Sequence, residues 1–257
     1  MRALRLHDDG LRMEQIPVPE LKVGEVLVRV CAAAITRDEL TWPEADRLPA
    51  IPSYELSGIV AAVGHDVNDT AVGEEVFALT PFDRDGAAAE FAVVPAAVLA
   101  PKPRRLTHSE SAALPLAGLT AWQGLFDHGG LSDGEHVRVL GATGGVGHLA
   151  VQLAAGQLVG DGEPCDLVFD TVGGDALARA VGSAPRVVTV AQELDGATYF
   201  IVEPNRAELV ELARRADLGE LKPEVDSIFP LEDAAAAFAR VAERGKHGKV
   251  VLRVAND

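Results

Sequence analysis

The chain has 257 residues, 48% hydrophobic and 24% charged, with a formal net charge of −16. That length holds two modest domains or one large one with an insertion, and the composition lies outside the disordered range. The excess of negative charge repels nucleic-acid backbones and anionic membrane surfaces, so neither is expected as a partner. No run approaches the ~20 apolar residues of a spanning helix, and Met1-Arg-Ala-Leu-Arg-Leu-His7 lacks the apolar core of a signal peptide. Cys31 and Cys165, each inside an apolar run, read as buried thiols of a reducing compartment. A cytoplasmic location is the expectation.

Residues 1–100 read as β-rich. Arg2–Leu6 and Val26–Ala33 are β-prone runs, separated by Pro17-Val-Pro-Glu-Leu-Lys-Val-Gly-Glu with the Pro and Gly of a turn. Leu56–Val63, Glu75–Leu79, Ala88–Val94 and Val98–Ala100 continue the pattern, as in a compact barrel or sandwich. The polar stretch from Thr36 to Pro52 suggests a helix followed by a loop. Thr107-His-Ser-Glu110 fits a capping box, and that helix should stop near Pro115. Another runs from about Leu116 to Phe126, ended by Gly129-Gly130. Asp166–Asp170, Arg186–Val190 and Thr198–Val202 are apolar enough for buried parallel strands. Asn205 with Glu208 opens a helix whose apolar face is Leu209, Leu212, Ala213 and Ala216. Pro230 starts a last helix ending at Gly245, and Lys249–Val254 is a final strand.

The organising stretch is Val137-Arg-Val-Leu-Gly-Ala-Thr-Gly-Gly-Val-Gly-His-Leu-Ala-Val-Gln-Leu-Ala154. An apolar run turns through a glycine cluster and reopens as an amphipathic helix. Such a turn lets backbone approach a nucleotide pyrophosphate, and the helix start offers unpaired N–H groups. Aligned on G-x-G-x-x-G, the first position is Ala142, with Gly144 and Gly147 as the other two.

Seven further segments stand in one order along the chain: Pro17-Val-Pro-Glu, Gly24-Glu-Val-Leu-Val-Arg-Val, Leu56-Ser-Gly-Ile-Val-Ala-Ala-Val-Gly64, Val72-Gly-Glu-Glu-Val-Phe77, Ala113-Leu-Pro-Leu-Ala-Gly-Leu-Thr-Ala-Trp122, Asp166-Leu-Val-Phe-Asp-Thr-Val-Gly-Gly174 and His247-Gly-Lys-Val-Val-Leu252. With the glycine loop they resemble the medium-chain dehydrogenase/reductase superfamily, in its zinc-independent quinone oxidoreductase branch. The resemblance implies an α/β chain. A GroES-like, β-rich catalytic domain would take residues 1–115 and 219–257, and a Rossmann-type parallel-sheet domain residues 116–218. It implies hydride transfer from NADPH, with NADH not excluded, to a quinone or an α,β-unsaturated carbonyl. It places Thr120, Gly144, Gly145, Val146, Thr171 and Val172 near the cofactor, Phe200, Ile201 and Val202 near the nicotinamide amide, and Gly248 and Lys249 on the facing edge.

Zinc-using relatives carry a Cys and a His-Glu pair where this chain has Thr36 and Tyr54-Glu55. Thr and Tyr are poor zinc ligands, and no four-Cys cluster exists, so no metal is expected. Thr36 and Tyr54 then become the catalytic candidates, Tyr54 as hydrogen-bond donor to a developing enolate oxygen or as an ordinary packed tyrosine. Position alone sets Glu39 and Trp42 with them on the substrate side. His108, His128 and His136 default to surface or capping roles, and His148 adjoins the glycine loop. Thr198–Val202 is expected to pair across a two-fold axis in a homodimer.

One piece is missing. After its helix, a dinucleotide-binding unit delivers a second parallel strand whose end meets the adenosine ribose. Here the chain passes Gly156-Gln-Leu-Val-Gly-Asp-Gly-Glu-Pro-Cys165 and enters Asp166–Asp170. Asp170 stands ~20 residues past the loop, as a ribose acid would, but its Asp-Thr-Val-Gly-Gly context resembles the family's fourth strand. A helix leading straight to that slot implies a left-handed crossover, found in only about 2% of cases. About one βαβ unit is thus absent after Ala155, and Ala184–Gly196 is also short. A stretch left out of the numbered sequence, a deletion with the sheet rearranged, and loss of cofactor binding with a scaffold role all remain open at this level.

Overall fold

The computed structural model describes residues 1–42, 47–243 and 245–255. It opens with an antiparallel pair, β1 (Arg2–His7) and β2 (Gly10–Gln15), turning at Gly10 with φ of 127°. β2 escaped the sequence reading because its alternation carries few apolar residues. β3 (Glu25–Ile35) alternates buried and half-exposed positions at first and is buried continuously from Val30. Its first half pairs on both edges, with β4 (Glu55–Val63) and β6 (Phe91–Pro95). β5 (Glu75–Leu79) joins β4, and β7 (Leu99–Pro101) joins β5. Where a helix was expected in Thr36–Pro52, the described residues before Pro43 form a 3-10 turn at Glu39–Thr41, and Pro43–Asp46 lies outside the described residues.

α1 (His108–Ala112) begins at the expected capping box, in which Thr107 and Glu110 satisfy each other's backbone N–H groups. α2 (Pro115–Trp122) runs on into a π-helical turn at Gln123–Asp127. Then come β8 (Val137–Leu140), α3 (Gly147–Leu153), β9 (Leu167–Asp170), α4 (Gly174–Ala180), β10 (Arg186–Thr189) and β11 (Thr198–Tyr199). α5 (Arg206–Leu218) is capped by Asn205 and buries the predicted Leu209, Leu212, Ala213 and Ala216. β12 (Val225–Pro230), α6 (Ala234–Ala242) and β13 (Lys249–Arg253) complete the chain. α4 and β12 were not anticipated, since neither carries a clear apolar period.

Two sheets organise these elements. A seven-stranded sheet, mostly antiparallel, runs β12-β13-β3-β4-β5-β7 with β6 on β3, so the last strand of the chain lies beside the third. A four-stranded parallel sheet runs β11-β10-β9-β8. One apolar core spans both, since Tyr54, Phe77 and Leu79 pack in the same cluster as Leu119, Leu149, Phe169 and Leu212.

The left-handed crossover that a direct connection would need does not occur. After α3 the chain turns at Gly156 (φ 86°) and forms an isolated parallel bridge between Leu158 and Val137. Val137 donates to Gln157 O at 2.8 Å and accepts from Val159 N–H at 3.1 Å. Leu167 pairs with Val137 on the other edge, so the bridge occupies the flank of β8 away from β9. The helix therefore returns to the side that right-handedness demands, and residues 160–166 pass beneath the start of β8 to reach β9.

Candidate active site

Three segments meet at the glycine loop. Gly141 takes a left-handed φ of 86°, and an added Cβ there would lie 2.4 Å from the Thr171 hydroxyl. At Gly147 a Cβ would lie 2.0 Å from the Gly141 carbonyl oxygen, so only glycine lets α3 start this close to the strand. The amides of Gly145 and Val146 donate to no acceptor among the described residues. On the facing edge Gly248 N–H donates to Thr143 O at 3.2 Å, and a Cβ at Gly145 would stand 3.0 Å from the Lys249 side chain.

Lys249 is the hub. Its Nζ donates to Thr36 Oγ1 at 2.7 Å and forms an ion pair with Glu55, both side chains being almost fully buried. Glu55 also accepts the Leu116 N–H at 3.0 Å, which ties the pair to the start of α2. Glu39, next in line, accepts the N–H groups of Thr36 at 2.9 Å and Ser53 at 3.1 Å. Burial outweighs those two bonds and pushes its carboxyl up to about 8, so it is neutral at pH 7. The cluster therefore carries one cation and one anion, Lys249 and Glu55.

Above it lies an aromatic trio. Trp42 stacks on Tyr54 with centroids 5.8 Å apart, and Phe82 meets both edge-on at 5.3 and 5.2 Å. Tyr54 is fully buried, its hydroxyl has no hydrogen-bond partner among the described residues, and burial raises its pKa. Near the loop stands a second group of cations. Arg37 and Lys246 make no hydrogen bond or ion pair among the described residues. Lys246 is held below the usual amine range, first by burial and then by Arg37 and Lys249. Repulsion of that kind is relieved by an anion.

His148 is not poised toward a ligand. Its Nε2 accepts the Glu224 N–H at 2.9 Å, so Nδ1 carries the proton and donates to Gly144 O, also at 2.9 Å. Burial lowers its pKa, and the neutral ring ties the glycine loop to the segment before β12. His108, expected at the surface or as a cap, is buried against Ser57 Oγ at 2.8 Å.

The sequence candidates thus fall into two sets. Thr36, Glu39, Trp42, Tyr54, Gly144, Gly145, Val146, Gly248 and Lys249 gather round the loop and the Lys249 cluster, with Thr171 and Val172 beside Gly141. Thr120 is buried within α2, its hydroxyl donating to Leu116 O at 2.6 Å. Phe200, Ile201 and Val202 follow β11 at the opposite edge of the parallel sheet, where Phe200 stacks on His128 and Gln123 holds both backbone groups of Glu203. Glu55 as the partner of Lys249, and Phe82 in the trio, were not foreseen. An acid and a lysine opening the apolar strands Glu55-Leu-Ser-Gly and Lys249-Val-Val-Leu were the available signal, because buried charges are found paired.

Comparison with known proteins agrees with this geometry. Residues 22–104 match the alcohol dehydrogenase GroES-like domain, and residues 140–252 match a family described as zinc-binding dehydrogenase. The NADPH-dependent alkenal/one oxidoreductase of Arabidopsis thaliana is 30% identical over 95% of this chain and 76% of its own length. The 2-methylene-furan-3-one reductase of Solanum lycopersicum is 29% identical with the same coverage. Both alignments extend over 294 residues, more than the 257 of this chain, so the relatives contain stretches without a counterpart here. The quinone oxidoreductase structure from Coxiella burnetii superposes with a TM-score of 0.89 at 25% identity, covering 99% of each chain.

Proposed function

Because the chain belongs to the medium-chain dehydrogenase/reductase superfamily, in its quinone oxidoreductase-like branch, we propose that it reduces a quinone or an α,β-unsaturated carbonyl with a nicotinamide cofactor and without a metal. It is an oxidoreductase of two parts, a GroES-like sheet and a Rossmann-type parallel sheet. We take the division to fall at residues 115/116 and 218/219. The observation that carries the proposal is the bonded path from the glycine loop, through Gly248 and Lys249, to the Thr36 hydroxyl.

The donor set speaks against zinc. Thr36 and Tyr54 offer hydroxyls, and the Glu55 carboxylate is already paired with the Lys249 ammonium. Among the described residues no group of three His, Cys, Asp or Glu side chains converges as metal ligands do. An enone or quinone is electrophilic enough to take a hydride without a Lewis acid, which is why this substrate class suits the site better than an alcohol.

The glycine loop amides, with Arg37 and Lys246, would supply a phosphate cradle. When bound, the dihydronicotinamide supplies the hydride. Thr36 accepts from Lys249, so its own proton is directed elsewhere, toward the substrate oxygen, where it stabilises developing negative charge. Trp42 and Phe82 keep water from that oxygen, and the Tyr54 hydroxyl offers a second donor. No helix among the described residues is long and apolar enough to cross a membrane. The exposed Ile201 and the edge strand β11 support a homodimer as the assembly, which light scattering tests.

Titration of NADPH fluorescence, followed by turnover of a small quinone and a small enone, tests the proposal. Thr36→Val should lower kcat by about 10²–10³-fold, as removal of one oxyanion donor does, with cofactor affinity unchanged. An unchanged kcat in Tyr54→Phe would leave Tyr54 as packing alone. Absence of any fluorescence shift at high protein concentration would return the chain to a scaffold role.

A further inference from the structure

The two halves of a dinucleotide are not served equally here. Phosphate and nicotinamide would be met by the glycine loop, by Arg37 and Lys246, and by the Lys249 cluster. The adenosine half is normally met at the carboxyl end of the strand that follows the first helix. In this chain that strand is reduced to the Leu158–Val137 bridge, opposite the first residue of β8. The loop lies beyond Leu140, three residues or about 10 Å further along the strand.

The chain is also held away from the missing position. Gln157 Nε2 donates to Ser132 O at 2.6 Å and Glu135 O at 3.2 Å, fastening the segment to the turn before β8. Arg138 donates to Gly160 O at 3.3 Å and to Glu163 O, so its guanidinium is committed to the connection itself. Asp166 N–H donates to His136 O at 2.9 Å, and the chain is by then on the β9 side. Asp170, the acid at the spacing of a ribose ligand, is fully buried and accepts from the N–H groups of Val172 and Gly173 and from the Thr189 hydroxyl. The acid and the guanidinium of this connection, Asp170 and Arg138, are thus both committed to backbone and hydroxyl partners within it.

Resting on the function proposed above, we infer that this chain grips its cofactor only by the nicotinamide mononucleotide half and therefore does not discriminate NADPH from NADH. The ligand class at the site is the reduced nicotinamide nucleotide, with the adenosine end left in solvent. Lys246 contributes to the phosphate common to every member of that class.

The test measures binding, by fluorescence or calorimetry, of NADPH, NADH and reduced nicotinamide mononucleotide to the purified chain, with adenosine 2′,5′-bisphosphate as competitor. Dissociation constants of NADPH and NADH should agree within about threefold, and the mononucleotide should bind within about tenfold of NADH. The bisphosphate should displace none of them. Lys246→Ala should weaken all three by a common factor of about tenfold. A preference of about thirtyfold or more for either dinucleotide, displacement by the bisphosphate, or a Lys246→Ala effect confined to NADPH would overturn the inference while leaving the reductase reading standing. If none of the three nicotinamide ligands binds, both fall together.

Discussion

The floor of the site and the outer flank of β8 are built on opposite terms. Around Lys249, polar groups are buried and answered by one another: ammonium by carboxylate and hydroxyl, carboxylate by a backbone N–H. Along the outer flank of β8 the described residues form one bridge, and beyond it no described strand pairs with that edge. The floor gains its geometry from burial, which makes any unpaired group costly. The flank gains tolerance from exposure, so its backbone groups turn to water without cost to the rest.

Lys249→Met should break the comparison most severely. It strands the Glu55 carboxylate, and losing one partner of a buried pair costs about 3–5 kcal/mol, measurable by urea denaturation. A variant as stable as the parent would show that the buried pair contributes nothing net to stability. Gly147→Ala comes next, since its methyl group meets backbone and the helix must back away from the strand; a loss of about 1–3 kcal/mol is expected, with weakened cofactor binding.

His148→Gln probes the join between the two regions. Loss of two backbone bonds should cost about 1–2 kcal/mol at neutral pH. The sign of the pH effect follows from its lowered pKa: the unfolded chain takes up a proton near the ordinary value of 6.5, and the folded chain resists it. The parent therefore loses stability as pH falls below 6.5, and the variant should lose less. Parallel curves would mean that the imidazole titrates alike in both states. Arg138→Ala, on the flank, should cost less than about 1 kcal/mol and leave turnover unchanged, because its bonds serve only the exposed connection.

Much of this was legible in the residues. The capping box at Thr107, the apolar face of α5 and the strand–glycine–helix passage at 137–154 each follow from a local rule, and each formed as expected. The shortness of the connection from α3 to β9 was legible too, by counting residues between two recognisable strands. Its resolution was not, because a single-residue bridge has no sequence period. Nor was the Glu55–Lys249 pair, which joins residues nearly two hundred positions apart and depends on β13 lying beside β3. The start of Thr36–Pro52 misled for a plainer reason: its polar residues suit a helix surface, but Glu39 was needed inside, as an acceptor for Thr36 and Ser53.

The position of β13 also bears on how the molecule comes together. During synthesis β3, β4 and β5 are available early, yet the edge of β3 from Ala32 to Ile35 waits for residues 250–253. Until then Glu55 faces the interior without its cation. Closure over so long a loop is slow, and the order of events gives the last strand the deciding part. A nascent chain halted before Lys249 should hold an open, chaperone-accessible sheet, and release of the final residues should seal the sheet and assemble the catalytic floor in one step.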